Sequence, residues 1–477
     1  MKCTKITENI QNELKLLLNV APLVQPIIDT LARAGGSIYL VGGAVRDLLL
    51  GRITKDLDIE IHGLLIDHVE DILREFGPLR LVGKSFGVFR IDGLDIDWSL
   101  PRSDSTGRKP VVSVDPFMSI KQAFVRRDLT MNAMGINLVT YELIDPFGGQ
   151  EDLKAGILRT PDVNFFIEDP LRFYRVMQSI GRFDMYPDAQ LNAVCTRMNI
   201  SQVSLERIEG EFEKLFLRSH APSRGIQWLY DLGRLPEVLP ELASIVGVPQ
   251  DPSWHPEGDV FEHSKQSLDA AAQMVYENQE EKLILLYAAL CHDLGKSITT
   301  ENIDGIWRSF GHEHEGVALA RKLLARITGK KELIESVCIL VKYHMTPLQF
   351  VSGNAGSAAY KRLALKLGSR VTIIMLYKLA YIDKLGRNPE KNGPLPYRII
   401  PEIEQFLLKA QESNVAHKKE EPVLLGRDLL DIISPGVQLG ELLKQAYEIQ
   451  IEEGIYDKHI LRERVLSFFS VNLHDKK

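Results

Sequence analysis

The strongest constraint in this sequence is a change of hydrophobic period partway along it. From Ile38 to about residue 149, apolar residues come in short runs broken by Gly, Asp and Pro: IYLV, DLDIEI, LRLVG, GVFRIDG, LDIDWSL, AMGINLV and ELIDPFGG. Runs of that length between turn residues read as strands, with helices expected after Val41 and near 66–76. A helical lead over residues 6–34, carrying Leu14, Leu17, Leu18 and Val20, is stopped by Gly35-Gly36. From about residue 168 the spacing is helical to the end, with turns near 220–225, 245–260, 352–357 and 387–396. The expected class is α+β, a mixed head followed by an all-α remainder. The expected divisions are a helical lead (1–35), a head (36–160), a helical neck and body (161–250), a second functional unit (251–390) and a helical tail (391–477).

Composition narrows the class without reaching a function. Of 477 residues, 45% are hydrophobic and 25% charged, a globular balance rather than a disordered one. The longest nearly uncharged apolar run, LILLYAALC, is about half the length a membrane span needs. The opening residues, with Lys5, Glu8 and Glu13, do not resemble a secretory leader, so a cytoplasmic protein is expected. The four cysteines (Cys3, Cys195, Cys291, Cys338) lie far apart with no CxxC pair, which argues against a disulfide framework or a cysteine zinc site. Net charge is −7, yet residues 321–391 hold 14 Lys/Arg against 4 Asp/Glu. Such a stretch is either a phosphate-binding surface, with Lys361, Arg362, Lys366 and Arg370 facing nucleic acid, or a set of solvated helix faces.

The strand IYLV runs into Gly42-Gly43 and then AVRDLLL. Glycines at a strand-to-helix turn let backbone N–H groups approach an anion, and Arg46 sits one turn inside the helix. In KDLDIEI, Asp56 and Asp58 are two residues apart on a strand and share a face. Neighbouring carboxylates repel unless a cation lies between them, and Mg²⁺ suits a few carboxylates with phosphate oxygens. The strand LDIDWSL offers Asp95 and Asp97 as a third carboxylate. That set meets the needs of two-metal phosphoryl or nucleotidyl transfer; solvent-facing aspartates on an edge strand would read the same way.

Five ordered stretches resolve that ambiguity: YLVGGAVRDLLLGRITKDLDIEI, VRRDLTMNAMGIN, LIDPFGGQEDL, EDPLRFYRVMQSIGRF and SLERIEGEFEKLF. Together they resemble motifs A to E of the class II tRNA nucleotidyltransferases, the CCA-adding enzymes of bacteria and eukaryotes and their poly(A) polymerase relatives. The resemblance covers residues 38–217. It implies a polymerase-β-like head with catalytic Asp56 and Asp58 holding Mg²⁺ and Asp97 as the third catalytic carboxylate, and helical neck, body and tail behind it. It places Gly43, Arg46 and Arg127 on the triphosphate and Asp128 on the ribose, with Arg126 less well matched. Glu206, Arg207, Glu211 and Lys214 fall in the last motif and read as braces. The implied substrates are CTP, ATP and the acceptor arm of tRNA, with no DNA or membrane partner; oligomeric state stays open.

The residue chemistry of EDPLRFYR agrees with that implication. Asp169, Arg172 and Arg175 recur every third residue and share a helix face. A carboxylate can accept from an exocyclic amine while the guanidinium beside it donates to the neighbouring ring nitrogen, the order that cytosine and adenine present. Uracil and guanine reverse both bonds and would leave buried groups unpaired. Asp169-Pro170 is equally a good helix start. Gln178 stands where some relatives carry another arginine. The polar segment after LDIDWSL resembles the flexible loop that full CCA-adding enzymes use in switching from C to A, which favours A addition. Addition of A alone, and poly(A) polymerisation, are the neighbouring activities.

A second constellation lies in the helical part: His263, His292-Asp293 in HDLGK, His312 and His314 in GHEHEG, His344 and Asp383. Imidazoles and carboxylates spread over several helices can converge on a divalent metal that activates water. The order resembles the HD phosphohydrolases over about 255–390. It implies His263, His292, Asp293 and Asp383 as ligands of a metal whose identity stays open, with His312 and His344 for a second ion, and Lys296 near a phosphate. His314 fits less well. The implied second activity is hydrolysis of phosphate esters, including 2′,3′-cyclic phosphodiesters. An HD hydrolase with a non-catalytic nucleotide-binding head is the alternative from a different class.

Overall fold

The change of period becomes two kinds of architecture. The computed structural model describes residues 2–19, 22–52, 57–81, 87–104 and 112–474. The chain forms two units, Met1–Leu215 with Trp228–Arg234, and Phe216–Gln227 with Leu235–Lys477.

The first unit carries an eight-stranded sheet. Its strands are β1 (Lys2–Lys5), β2 (Ser37–Val41), β3 (Leu57–His62), β4 (Leu79–Leu81), β5 (Val88–Ile91) and β6 (Ile96–Ser99), joined by β9 (Gly135–Asn137) and β10 (Glu142–Asp145). The spatial order is β1-β10-β9-β2-β3-β6-β5-β4, while β7 (Arg102–Asp104) and β8 (Val112–Val114) pair separately. Every neighbouring pair in the large sheet is antiparallel except β3 with β6.

Alternation along the strands decides what each face does. Ile38, Leu40, Ile59, Ile61 and Trp98 enter the larger core with Leu14, Ile27, Leu31 and Val69 from the helices Glu8–Leu18, Val24–Arg33 and Ile66–Arg74. Asp58, Glu60 and Asp97 therefore stand on the opposite face, where Tyr39 and Val41 pack with Ala123 and Phe124. The helices expected after Val41 and near 66–76 are present as Gly43–Leu49 and Ile66–Arg74. Strand β1 was not legible: KCTK has no apolar alternation, and its strand state comes from pairing with β10.

The second unit is helical. Its central helix, Gln279–Cys291, starts where the Asn278 side chain accepts from the Glu281 N–H, and its residues Leu283 to Cys291 are all buried. A helix apolar on every side has no solvent face, so it runs through the core. The exception to helix here is a hairpin, Glu301–Ile303 with Ile306–Arg308. Its turn residues Asp304 and Gly305 both have positive φ (51° and 83°), the conformation of a tight two-residue hairpin turn. Among the described residues, no helix is long and apolar enough to cross a membrane.

Candidate functional site

In the first unit the motif residues converge on one cavity of about 350 Å³, lined by Gly43, Arg46, Asp58, Asp97, Arg127, Asp128, Asp169, Arg172 and Arg175. The parallel register of β3 and β6 sets Asp58 beside Asp97, and Arg90 donates to both Asp97 oxygens. Asp95 is exposed and lies outside the cavity lining, so the third carboxylate of the sequence reading is Asp97. Asp56 lies outside the described residues, as do residues 105–111 of the segment that resembles the switching loop.

The turn before the first site helix is shaped for close approach. Gly42 has φ +74°, and a Cβ there would lie 2.8 Å from the Arg127 guanidinium. Arg46 is buried, donates to Asp47 (2.8 Å) and to Asn132 Oδ1 (2.7 Å), and lies over the Phe183 ring. Asn132 in turn donates to Asp128 Oδ1 (3.0 Å), whose other oxygen meets Arg175 Nε at 2.9 Å. Burial opposes the charge on Asp128, but Arg175 and the Asn132 hydrogen bond hold its carboxyl below the ordinary range. Glu60 follows the same pattern: burial works against its charge, while His62 (2.9 Å) and Arg127 keep it ionised.

The two residues expected to read the base have protein partners. Asp169 accepts from the Leu171 N–H (3.1 Å), the helix-start role, and from Arg207 Nη2 at 2.9 and 3.0 Å. Arg172 donates to the backbone carbonyls of Phe165 and Arg126, the latter at 2.6 Å. Arg207, expected as a brace, thus reaches the proposed base-reading carboxylate; Glu211 pairs with Lys214 at 2.8 Å. Gln178 is buried and accepts from Arg182. Glu60, Asn132 and Arg102 also line the cavity and escaped the sequence reading. The spacing of DLDIEI, with acids at every second position, was the available signal for Glu60.

In the second unit six of the seven selected residues meet. His263 Nε2 lies 3.1 Å from His292 Nε2, 3.1 Å from Asp383 Oδ1 and 3.7 Å from Asp293 Oδ2. His312 Nε2 lies 3.1 Å from His344 Nε2 and 3.2 Å from Asp293 Oδ1. Asp293 therefore offers one oxygen to each histidine pair, and Lys296 sits 2.7 Å from Oδ2. His314 is exposed beside Glu313. The turn that presents Asp293 passes too close to the next helix for a side chain: a Cβ on Gly295 would lie 2.0 Å from the His312 carbonyl oxygen.

These rings fit a divalent cation. The Nδ1 atoms of His292, His312 and His344 face the carbonyls of Ala289 (2.8 Å), Ser309 (2.7 Å) and Val341 (2.7 Å). A carbonyl only accepts, so each ring donates from Nδ1 and carries its lone pair at Nε2. Burial keeps His344 neutral, pushed down to about 3, and lowers His292 as well. Lone pairs 3.1 Å apart repel unless a cation lies between them. His263 Nδ1 is 2.7 Å from Glu257 Oε1, which also accepts from His255 Nδ1 (2.9 Å). Glu257 and His255 thus orient a candidate ligand rather than forming a third cluster, and Arg387 grips both oxygens of Asp383 (2.7 and 2.8 Å) in the same supporting role. None of these three was marked by the sequence.

Three of the four basic residues expected to face nucleic acid have acidic partners within the protein. Lys361 pairs with Glu420, Arg362 with Glu448 and Glu452, and Arg370 with Glu332; Lys366 remains exposed.

Fold and sites together define a template-free nucleotidyltransferase head joined to an HD domain. Residues 38–159 match the poly A polymerase head domain, 192–246 the probable RNA and SrmB-binding site of polymerase A, and 260–372 the HD domain. The chain belongs to the family of multifunctional CCA proteins. It is 35% identical to the multifunctional CCA protein of Halorhodospira halophila over 370 residues, 75% of this chain and 80% of that one. It is also 35% identical to that of Chromobacterium violaceum, over 64% of this chain and 74% of the relative. Its fold is similar to the Bacillus stearothermophilus CCA-adding enzyme in complex with CTP (TM-score 0.67, 18% identity, 98% and 100% of the two chains). It is likewise similar to the Thermotoga maritima CCA-adding enzyme complexed with tRNA (TM-score 0.58, 20% identity, 98% and 100%).

Proposed function

We propose that the chain adds C, C and A to the 3′ end of tRNA from CTP and ATP, releasing pyrophosphate, and that its HD domain hydrolyses phosphate esters. The observation that carries the first part is the convergence of the ordered motif residues on the single cavity between Gly43 and Arg175. Its acidic side, Asp58 and Asp97, is the assigned place for Mg²⁺, together with Asp56 as the sequence motif implies; the ion when bound would offset charge on the attacking and leaving oxygens. The tRNA 3′-oxygen attacks the α-phosphorus, the bond to the β-phosphate bridging oxygen breaks, and the hydroxyl proton is released. Arg46 and Arg127 beside the Gly42-Gly43 turn give the triphosphate a cationic lining. Asp169 and Arg172 select the base, and because both are held by protein partners, reading a base means exchanging those bonds.

In the second site we assign His263, His292, Asp293 and Asp383 to one divalent ion and His312 and His344, with the other Asp293 oxygen, to a second. Such ions supply an activated water near neutral pH. Lys296 would neutralise charge on the phosphate, whose P–O bond breaks as one water is consumed. The finer division into lead, head, neck and body, HD domain and tail follows the same reading, as does a cytoplasmic location, where tRNA and nucleoside triphosphates meet.

The test offers purified protein tRNA ending at the discriminator base, at C and at CC, each with labelled CTP or ATP and Mg²⁺. Two C and then one A on the first substrate is the expected result. A single A on the CC-ended substrate alone would make this an A-adding enzyme, and no incorporation at all would remove the head assignment.

A further inference from the structure

The ligand cluster of the second unit opens into a cavity of about 400 Å³ whose mouth is aromatic, a feature that metal-assisted hydrolysis by itself does not require. Of the four tryptophans, Trp98 and Trp228 are 0% and 7% exposed, whereas Trp254 and Trp307 are 63% and 38% exposed. Both exposed ones line this cavity, as does Phe310, 72% exposed. Large aromatic side chains left in water at the rim of a polar cavity are available to a ligand with a flat apolar face.

Their supports tie them to the cluster below. Trp307 lies on the hairpin, and Phe310 follows Ser309, whose carbonyl accepts from the ring of His312 at 2.7 Å. The Trp254 carbonyl accepts from Arg387 Nη1 at 3.2 Å, and Arg387 holds Asp383. Each aromatic therefore belongs to a segment whose backbone is bonded to a candidate ligand or to the residue that holds one. Cations accompany the rings: Lys384 lies 5.8 Å from the Trp254 ring and Arg308 5.9 Å from that of Phe310. Rings and cations lining one cavity with the ligand cluster match a molecule with a phosphate at one end and a π-face at the other. Stacking one base on an aromatic side chain is worth roughly ten- to a hundredfold in affinity.

We propose that Trp254, Trp307 and Phe310 form a stacking collar that selects phosphate esters bearing an unstacked nucleobase for the second site. The proposal rests on the phosphohydrolase reading above and names the residues that give it specificity. The chemistry is shared by a free nucleotide and by a single-stranded RNA 3′ end.

Full-length protein with added Mn²⁺ is assayed on adenosine 2′,3′-cyclic phosphate, on a short single-stranded RNA ending in the same group, and on glycerol 2-phosphate. Tryptophan fluorescence is recorded during titration with the cyclic nucleotide. The expected result is a preference in kcat/KM for the base-bearing esters that falls about tenfold or more in Trp254→Leu and Phe310→Ala, chiefly through KM, and is largely restored in Trp254→Phe. The fluorescence quench on binding is expected to shrink in Trp254→Leu. Loss confined to the mononucleotide or to the RNA identifies which of the two the collar serves. A preference that stays the same in both variants overturns the collar. Hydrolysis of none of the three esters by the unaltered protein overturns the hydrolase reading instead, and the quench then decides the collar separately: its loss in Trp254→Leu supports it, its absence throughout ends it.

Discussion

The two sites handle crowded charge in opposite ways. In the head, anions have cations of the protein's own: Asp97 with Arg90, Asp128 with Arg175, Asp169 with Arg207, Glu60 with Arg127. In the HD domain the carboxylates have Lys296 and Arg387, but His312 and His344 meet lone pair to lone pair at 3.1 Å. The difference tracks the residence time of the ligand. A nucleotide comes and goes, so the residues that meet it are paired within the protein while the site is empty and exchange internal bonds for substrate bonds. A structural or catalytic cation stays, so its site can be left incomplete without it.

The sharpest break between the two is a double dissociation. Asp58→Ala is expected to lower nucleotide incorporation at least about a thousandfold while leaving ester hydrolysis near its original rate. Asp293→Ala should do the reverse; equal loss of both activities in either variant would mean that the sites are not separate. Next in size is the response to metal. At about a hundred times Kd a bound ion adds about 2.7 kcal/mol. Calorimetry should therefore show Tm rising with divalent ion and falling with chelator, in Asp58→Ala as in the unaltered chain. The shift should shrink when His312 and His344 are both replaced by Ala, which removes the second ion, and vanish when His292 and Asp293 are replaced as well; its persistence there would sink the cation assignment.

A smaller effect probes the support of the cluster. Glu257→Gln keeps the size but weakens the acceptor for His263, and about a ten- to hundredfold loss of metal affinity is expected by isothermal titration. The smallest prediction concerns the head's permanent ion pairs. Asp128→Asn removes the charge facing Arg175 and should cost about 1–2 kcal/mol at neutral pH. The sign with pH follows from the folded carboxyl lying below its ordinary value. That contribution is present above the unfolded pKa and lost as pH falls through the folded one. The gap in stability between the unaltered chain and Asp128→Asn should narrow on acidification below about pH 4; a constant gap would show that the charge is not what matters there.

What could be read in advance was whatever rests on period and on residue type. Alternation put Asp56 and Asp58 on one expected strand face, while the choice of Asp97 over Asp95 came only with the β3–β6 register; the rare residues of HDLGK and GHEHEG announced their cluster. What could not be read depends on distant partners. Lys361 and Arg362 looked free because Glu420, Glu448 and Glu452 lie about 60–90 residues further on, and a charge count over one stretch does not see them. Asn132 is a neutral side chain whose importance comes only from standing between Arg46 and Asp128. Strand β1 is a short element created by pairing rather than by propensity, whereas the hairpin has a local signal in Asp304-Gly305 between apolar residues.

His292 and Asp293 directly follow a helix buried on all sides. The proposed hydrolytic centre and the scaffold of the domain therefore descend together. A lineage with no use for the hydrolysis could not discard this stretch without unfolding the domain. Its route to silence is replacement of ligands in place by residues of similar size, such as His292→Gln or Asp293→Asn. Descendants of that kind would keep the shape of an enzyme long after the chemistry had gone.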